Sequence, residues 1–132
     1  MVAIERVIHQ RRYNAGESIF GEDMLGAGMY IVKEGEVAIT KKIKGDKEIE
    51  LAVIGERNFF GEMALIDEMP RSASAIAKKD TILFAFCKPD LENIMERNPK
   101  VAAAIITNIA RLVCKRLVQS NENREALEKN MQ

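Results

Sequence analysis

Tryptophan is missing from this 132-residue chain, histidine occurs once and cysteine twice. A metal centre of the kind carried by many β-rich enzymes needs clustered imidazole, thiolate or carboxylate ligands, and His9 has no partner at such a spacing. Cys87 and Cys114 each fall inside an apolar periodic segment, so they read as buried thiols in a reducing compartment rather than as a disulfide. Net charge is also absent: 20 basic side chains balance 20 acidic ones, so no global field draws the chain to nucleic acid or to an anionic membrane. Long apolar runs are lacking as well, which excludes a membrane-spanning helix. The first residues, Met1-Val2-Ala3-Ile4-Glu5-Arg6, lack the uninterrupted apolar stretch of a secretion signal. These absences together describe a cytoplasmic protein whose recognition is local.

What is present suffices for one domain with a core of its own. From Ile8 to Phe86 short β-prone runs alternate with glycine-bearing turns, the pattern of a closed or sandwiched all-β unit. Tyr30-Ile31-Val32, Val37 to Thr40, Ile49 to Ile54 and Thr81 to Phe86 read as strands. Lys44-Gly45-Asp46-Lys47 reads as a hairpin tip. After Phe86 the period changes. Pro89 to Met95 has the composition of a short helix with Pro in its first turn. Asn98 and Pro99 then supply a cap and a first residue for a helix running to about Lys129 without another Pro or any Gly.

One segment concentrates chemistry. Phe60-Gly61-Glu62-Met63-Ala64-Leu65 is followed after a short gap by Pro70-Arg71-Ser72-Ala73-Ser74-Ala75. Gly61 permits close backbone approach to a ligand, and Met63-Ala64-Leu65 reads as a short helical turn with amides facing an anion. The planar fork of Arg71 suits two phosphate oxygens, whereas Glu62, an acceptor when ionised, suits a sugar hydroxyl and would repel a phosphate. The two residues therefore address different ends of one ligand.

This segment resembles the phosphate-binding cassette of cyclic nucleotide-binding domains, as in catabolite activator proteins, kinase regulatory subunits and cyclic nucleotide-gated channels. The resemblance implies that Glu62 contacts the ribose 2′-hydroxyl and Arg71 the cyclic phosphate. It also places Phe60, Gly61, Met63, Ala64, Ser72 and Ala73 among the ligand-binding positions. The segments Tyr13 to Phe20 and Met29 to Val37 are similar to the family's first strands. Two loops depart from the family pattern: Asp23-Met24 and Arg57-Asn58 each stand where Gly-Asp is usual. The implied fold is a jelly-roll-like β barrel over residues 8–87, with the cassette at 59–76, followed by C-terminal helices over 88–132.

The long helix carries two stripes. Val101, Ile105, Ile109 and Leu112 are spaced to pack on the β unit. Ala103, Ile106, Ala110, Val113, Leu117, Ser120, Arg124, Leu127 and Met131 alternate at three and four residues like a coiled-coil seam, which points to a twin helix in a homodimer. Similar helices in the family reach the nucleotide base, which makes Ser120 and Asn121 candidates for that contact.

The expected function is that of a receptor module for cyclic AMP or cyclic GMP, with cyclic AMP preferred, whose ligand moves the C-terminal helices. No catalytic residue, metal or further cofactor is expected, and neither membrane nor direct DNA binding. A downstream effector protein would read the signal, unless the chain is a piece of something longer. A cupin-type metalloenzyme would share the glycine-punctuated β pattern but needs ligands this chain does not have. The rival reading is a β-roll dimerisation module that keeps the fold and has lost nucleotide binding.

Overall fold

The computed structural model describes residues 8–26, 28–66 and 69–130. Among these residues the strands are β1 His9–Tyr13, β2 Ser18–Phe20, β3 Leu25–Gly26, β4 Gly28–Glu34, β5 Val37–Lys42, β6 Glu48–Ile54, β7 Phe59–Phe60, β8 Met69–Pro70, β9 Ser74–Ala77 and β10 Thr81–Cys87. A single-turn helix α1, Met63–Ile66, interrupts the strands, and α2, Lys88–Arg97, and α3, Pro99–Asn130, follow them. The chain divides into two compact units between Asn93 and Ile94.

The first unit is a β-roll. Strands β1-β10-β4-β7 form one antiparallel sheet, β2-β9-β5-β6 form a second, and β3 pairs with β8 as a short ribbon. Hydrogen bonding does not run continuously round the roll, so the jelly-roll arrangement is built from facing sheets rather than a closed barrel. Val32, Val37, Ala75 and Leu83 point inward from four different strands and join Phe20 and Phe60 in one buried cluster, which stabilises the roll by removing apolar surface from water. Tyr30 stacks on Phe60 at 5.3 Å between ring centroids, and Phe20 lies 6.1 Å and 5.9 Å from the two. The hairpin tip closes where it was expected, with the Ile43 amide donating to the Lys47 carbonyl at 2.9 Å and Gly45 at φ +80°.

Both loops that depart from the family's Gly-Asp keep a backbone that glycine would favour. Asp23 has φ +70° and Arg57 φ +71°, a region in which an L side chain is strained. Hydrogen bonds hold each residue there: the Arg57 amide donates to Val32 O at 2.8 Å, and the Asp23 amide to Arg71 O at 2.9 Å.

Three readings of single residues change. His9 has a partner after all, Asp90, with Nε2 and Oδ2 at 3.5 Å. Pairing of β1 with β10 sets His9 opposite Ala85, close to the start of α2, a juxtaposition that sequence spacing does not reveal. Neither thiol is fully buried: Cys87, the last residue of β10, is half-covered, and Cys114 lies exposed on α3. Partial burial and the nearby Asp90 carboxylate push the Cys87 thiol above its ordinary range.

In the second unit, Asn98 caps α3 through its side-chain oxygen, which accepts the Val101 amide at 3.3 Å. Both apolar stripes are present on this helix. Val101, Ile105, Ile106, Ile109 and Val113 are half-buried, whereas Leu117 is 59% and Leu127 65% exposed.

Candidate functional site

Arg71 is the centre of the site because of what holds it. Its backbone is pinned on both sides by the turn at residues 21–24: the Arg71 amide donates to Met24 O at 2.7 Å, and its carbonyl accepts the Asp23 amide at 2.9 Å. The ribbon of β3 and β8, with Leu25 opposite Pro70, extends the same connection. The side chain then crosses the aromatic edge of the core. Its guanidinium carbon sits 4.2 Å above the Phe20 ring, a cation–π contact that supports charge at the rim of an apolar cluster. Nη1 donates to Gly61 O at 3.0 Å and Nη2 to Gly28 O at 2.8 Å.

Two glycines make room for this arrangement. A β-carbon on Gly61, which has φ +73°, would stand 2.7 Å from Arg71 Nη1. One on Gly26 would stand 2.5 Å from Arg71 Cζ, with Nε nearer still, and 2.9 Å from the Ala64 β-carbon. Only hydrogen at both positions lets the guanidinium lie against the backbone.

The cation is half-buried, and burial lowers its pKa from the ordinary value, with Tyr30, Cys87 and Glu62 pulling in the opposite direction. Arginine nevertheless stays charged at any physiological pH. The ion pairs of His9, Lys78, Lys79 and Lys88 do not involve Arg71. The structure therefore holds a partly desolvated cation between backbone carbonyls, oriented on two sides and with donors to spare.

Glu62 is half-buried next to Gly61, and its charge acts on Arg71. The α1 turn separates what faces in from what faces out. Ala64 and Leu65 are buried in the roll, while Met63 is exposed. The Ala64 and Leu65 amides are occupied by Gly61 O and Glu62 O, so an anion at this turn would meet the amides that precede them. The side chains of Phe60, Ala64 and Ala73 are buried, which leaves their backbone, not their side chains, for any contact with a ligand. Ser72 is exposed beside Arg71. Ser120 and Asn121 lie exposed on α3, in the second unit.

Sequence reading missed four supports of Arg71: the Phe20 ring, the Gly28 carbonyl, the space at Gly26 and the clamp from Asp23 and Met24. Gly26 and Gly28 were visible only as turn glycines. Among the described residues no group of histidine, cysteine or carboxylate is placed to hold a metal ion, and no helix is long and apolar enough to cross a membrane.

The profile of the cyclic nucleotide-binding domain matches residues 10–98, a span that contains the roll and the whole arrangement around Arg71. The chain belongs to this family. The cyclic AMP receptor protein of Thermus thermophilus is 38% identical over 112 residues, covering 85% of this chain and 50% of that protein. The crystal structure of the Thermus thermophilus catabolite activator protein superposes with a TM-score of 0.78 at 35% identity, covering 96% of this chain and 57% of the other. A cyclic nucleotide-binding domain from Methylobacillus flagellatus gives a TM-score of 0.85 at 23% identity over 91% of this chain and 67% of the other, a likeness of fold. The chain thus spans about half the length of its Thermus relatives.

Proposed function

We propose that this chain is a cyclic nucleotide receptor module that prefers cyclic AMP to cyclic GMP. The observation that carries the reading is Arg71: a half-buried guanidinium held against the Gly61 and Gly28 carbonyls and over the Phe20 ring. A cation fixed in that way is preorganised for an anion, because the cost of orienting and partly desolvating it is met before the ligand arrives. The cyclic phosphate binds Arg71 and the Gly61 and Glu62 amides. The Glu62 carboxylate accepts from the ribose 2′-hydroxyl, and Ser72 adds a phosphate or base contact. The preference for cyclic AMP rests on the name of the Thermus receptor, the relative at 38% identity.

On this reading α3 closes over the base, with Ser120 and Asn121 as contacts. Its exposed stripe pairs with a second copy of the chain, and a separate effector reads the change. Closure requires a ligand contact that differs between the two helix positions, since only differential affinity shifts a conformational equilibrium.

Calorimetric titration with cyclic AMP and cyclic GMP, alongside Arg71→Ala, tests the proposal. Micromolar or tighter binding is expected, with the substitution weakening it by on the order of 2 to 5 kcal/mol because a buried phosphate loses its charged partner. Absence of heat with either nucleotide, in protein freed of bound ligand, would favour the dimerisation-module reading.

A further inference from the structure

The turn that clamps Arg71 is itself closed by a methionine sulfur. The Gly21 amide donates to Met24 Sδ at 3.2 Å, and the Met24 amide donates to Gly21 O, also at 3.2 Å. Side chain and backbone of one residue thereby close the same loop. The backbone of that loop takes the Arg71 amide on Met24 O and gives the Asp23 amide to Arg71 O. Asp23 is held at φ +70°, so the turn depends on its hydrogen bonds rather than on local preference. Met24 is also 57% exposed, open to a dissolved oxidant.

We infer that Met24 is an oxidation site whose modification loosens the clamp on Arg71 and makes nucleotide binding sensitive to peroxide. The ligand part rests on the receptor reading above. The step is a two-electron transfer. A sulfur lone pair attacks one oxygen of a hydroperoxide, the S–O bond forms as the O–O bond breaks, and the departing oxygen leaves as water or an alcohol after taking a proton. The thioether is oxidised to the sulfoxide and the peroxide is reduced, and a thiol-dependent sulfoxide reductase reverses the change. At 3.2 Å from the Gly21 nitrogen there is no space for an oxygen between donor and sulfur. Oxygen added to the lone pair that faces the amide forces the group away, and oxygen added to the solvent-facing lone pair leaves an electron-poor sulfur that accepts the Gly21 amide more weakly; either outcome weakens the side-chain closure of the turn.

The experiment treats the full chain and Met24→Leu with hydrogen peroxide. Leucine keeps most of the apolar volume and has no sulfur to oxidise. Peptide mass mapping reads each methionine, calorimetry reads cyclic AMP affinity, and NMR reads hydrogen exchange at the Arg71 amide, each before and after treatment. Both proteins keep the exposed Met63 and Met95, so the difference between them reports Met24. In the unsubstituted chain oxidation should weaken binding about fivefold, the worth of roughly one positioning hydrogen bond, and speed Arg71 exchange, with recovery after enzymatic reduction. Met24→Leu should keep its own affinity and its own exchange rate. Equal losses in both proteins, an unchanged affinity with Met24 fully oxidised, or resistance of Met24 to peroxide would overturn the inference. Should the reduced chain bind neither nucleotide, the receptor reading fails by itself and Arg71 exchange decides. Faster exchange on oxidation in the unsubstituted chain alone upholds the Met24 clamp, and unchanged exchange refutes it.

Discussion

Arg71 shows how a single side chain can be costly to hold and yet suited to a task. Burial disfavours its charge, against the opposing pull of Tyr30, Cys87 and Glu62, and an aromatic face and two backbone carbonyls hold it in place. The space it occupies is the space left by a missing β-carbon at Gly26. Gly26→Ala should therefore act first on the site, because the flexible guanidinium is the nearest group and can swing away into solvent, although the buried Ala64 β-carbon at 2.9 Å must also shift slightly. Nucleotide affinity measured by calorimetry should fall at least about tenfold, while the thermal midpoint drops by only a few degrees for a loss of about 1 kcal/mol. A midpoint collapse with affinity preserved in the folded fraction would show that Gly26 serves the core instead.

At the scale of elements, the roll and the helices depend on different physics. Strands β2, β4, β5, β7, β9 and β10 share one buried cluster, so each of them is stabilised by partners distant in sequence. Helix α3 begins at a local signal: Asn98 accepts the Val101 amide and Pro99 occupies the first turn. Beyond residue 117 its side chains are all exposed through residue 129, leaving its C-terminal half little tertiary support within one chain. Asn98→Ala should cost about 1 kcal/mol at the cap, read as faster amide exchange in the first turn of α3, with exchange in β4 and β10 unchanged. Equal acceleration in the strands would mean that the two units unfold together.

At the scale of the whole molecule that exposure bears on the association proposed above. Leu117 and Leu127, on the seam of threes and fours, are 59% and 65% exposed, and apolar surface at such a spacing is ordinarily covered by another helix. The homodimer proposed above should sediment as a dimer, and Leu117→Glu should raise its dissociation constant about tenfold or more, since a carboxylate without a partner in an apolar seam costs more than 1 kcal/mol. A monomer in both cases would remove the helix seam from the proposal and leave the nucleotide site untouched.

The amino-acid sequence by itself determined which kind of fold this is and which segment carries the charged pair. Strand and helix periods are written in consecutive residues, as in Thr81 to Phe86 and in the run from Pro99, and Glu62 and Arg71 stand in one short stretch with the glycine between strand and turn. Tertiary structure decided how the cation is held. Gly28 lies 43 positions from Arg71 in the chain, and Phe20 and the Met24 turn arrive from strands whose pairing no local pattern encodes. The same is true of His9, whose partner Asp90 is brought close only by the register of β1 on β10. Local hydrogen bonding and side-chain period are properties of neighbours in sequence, whereas the environment of a buried charge is a property of neighbours in space.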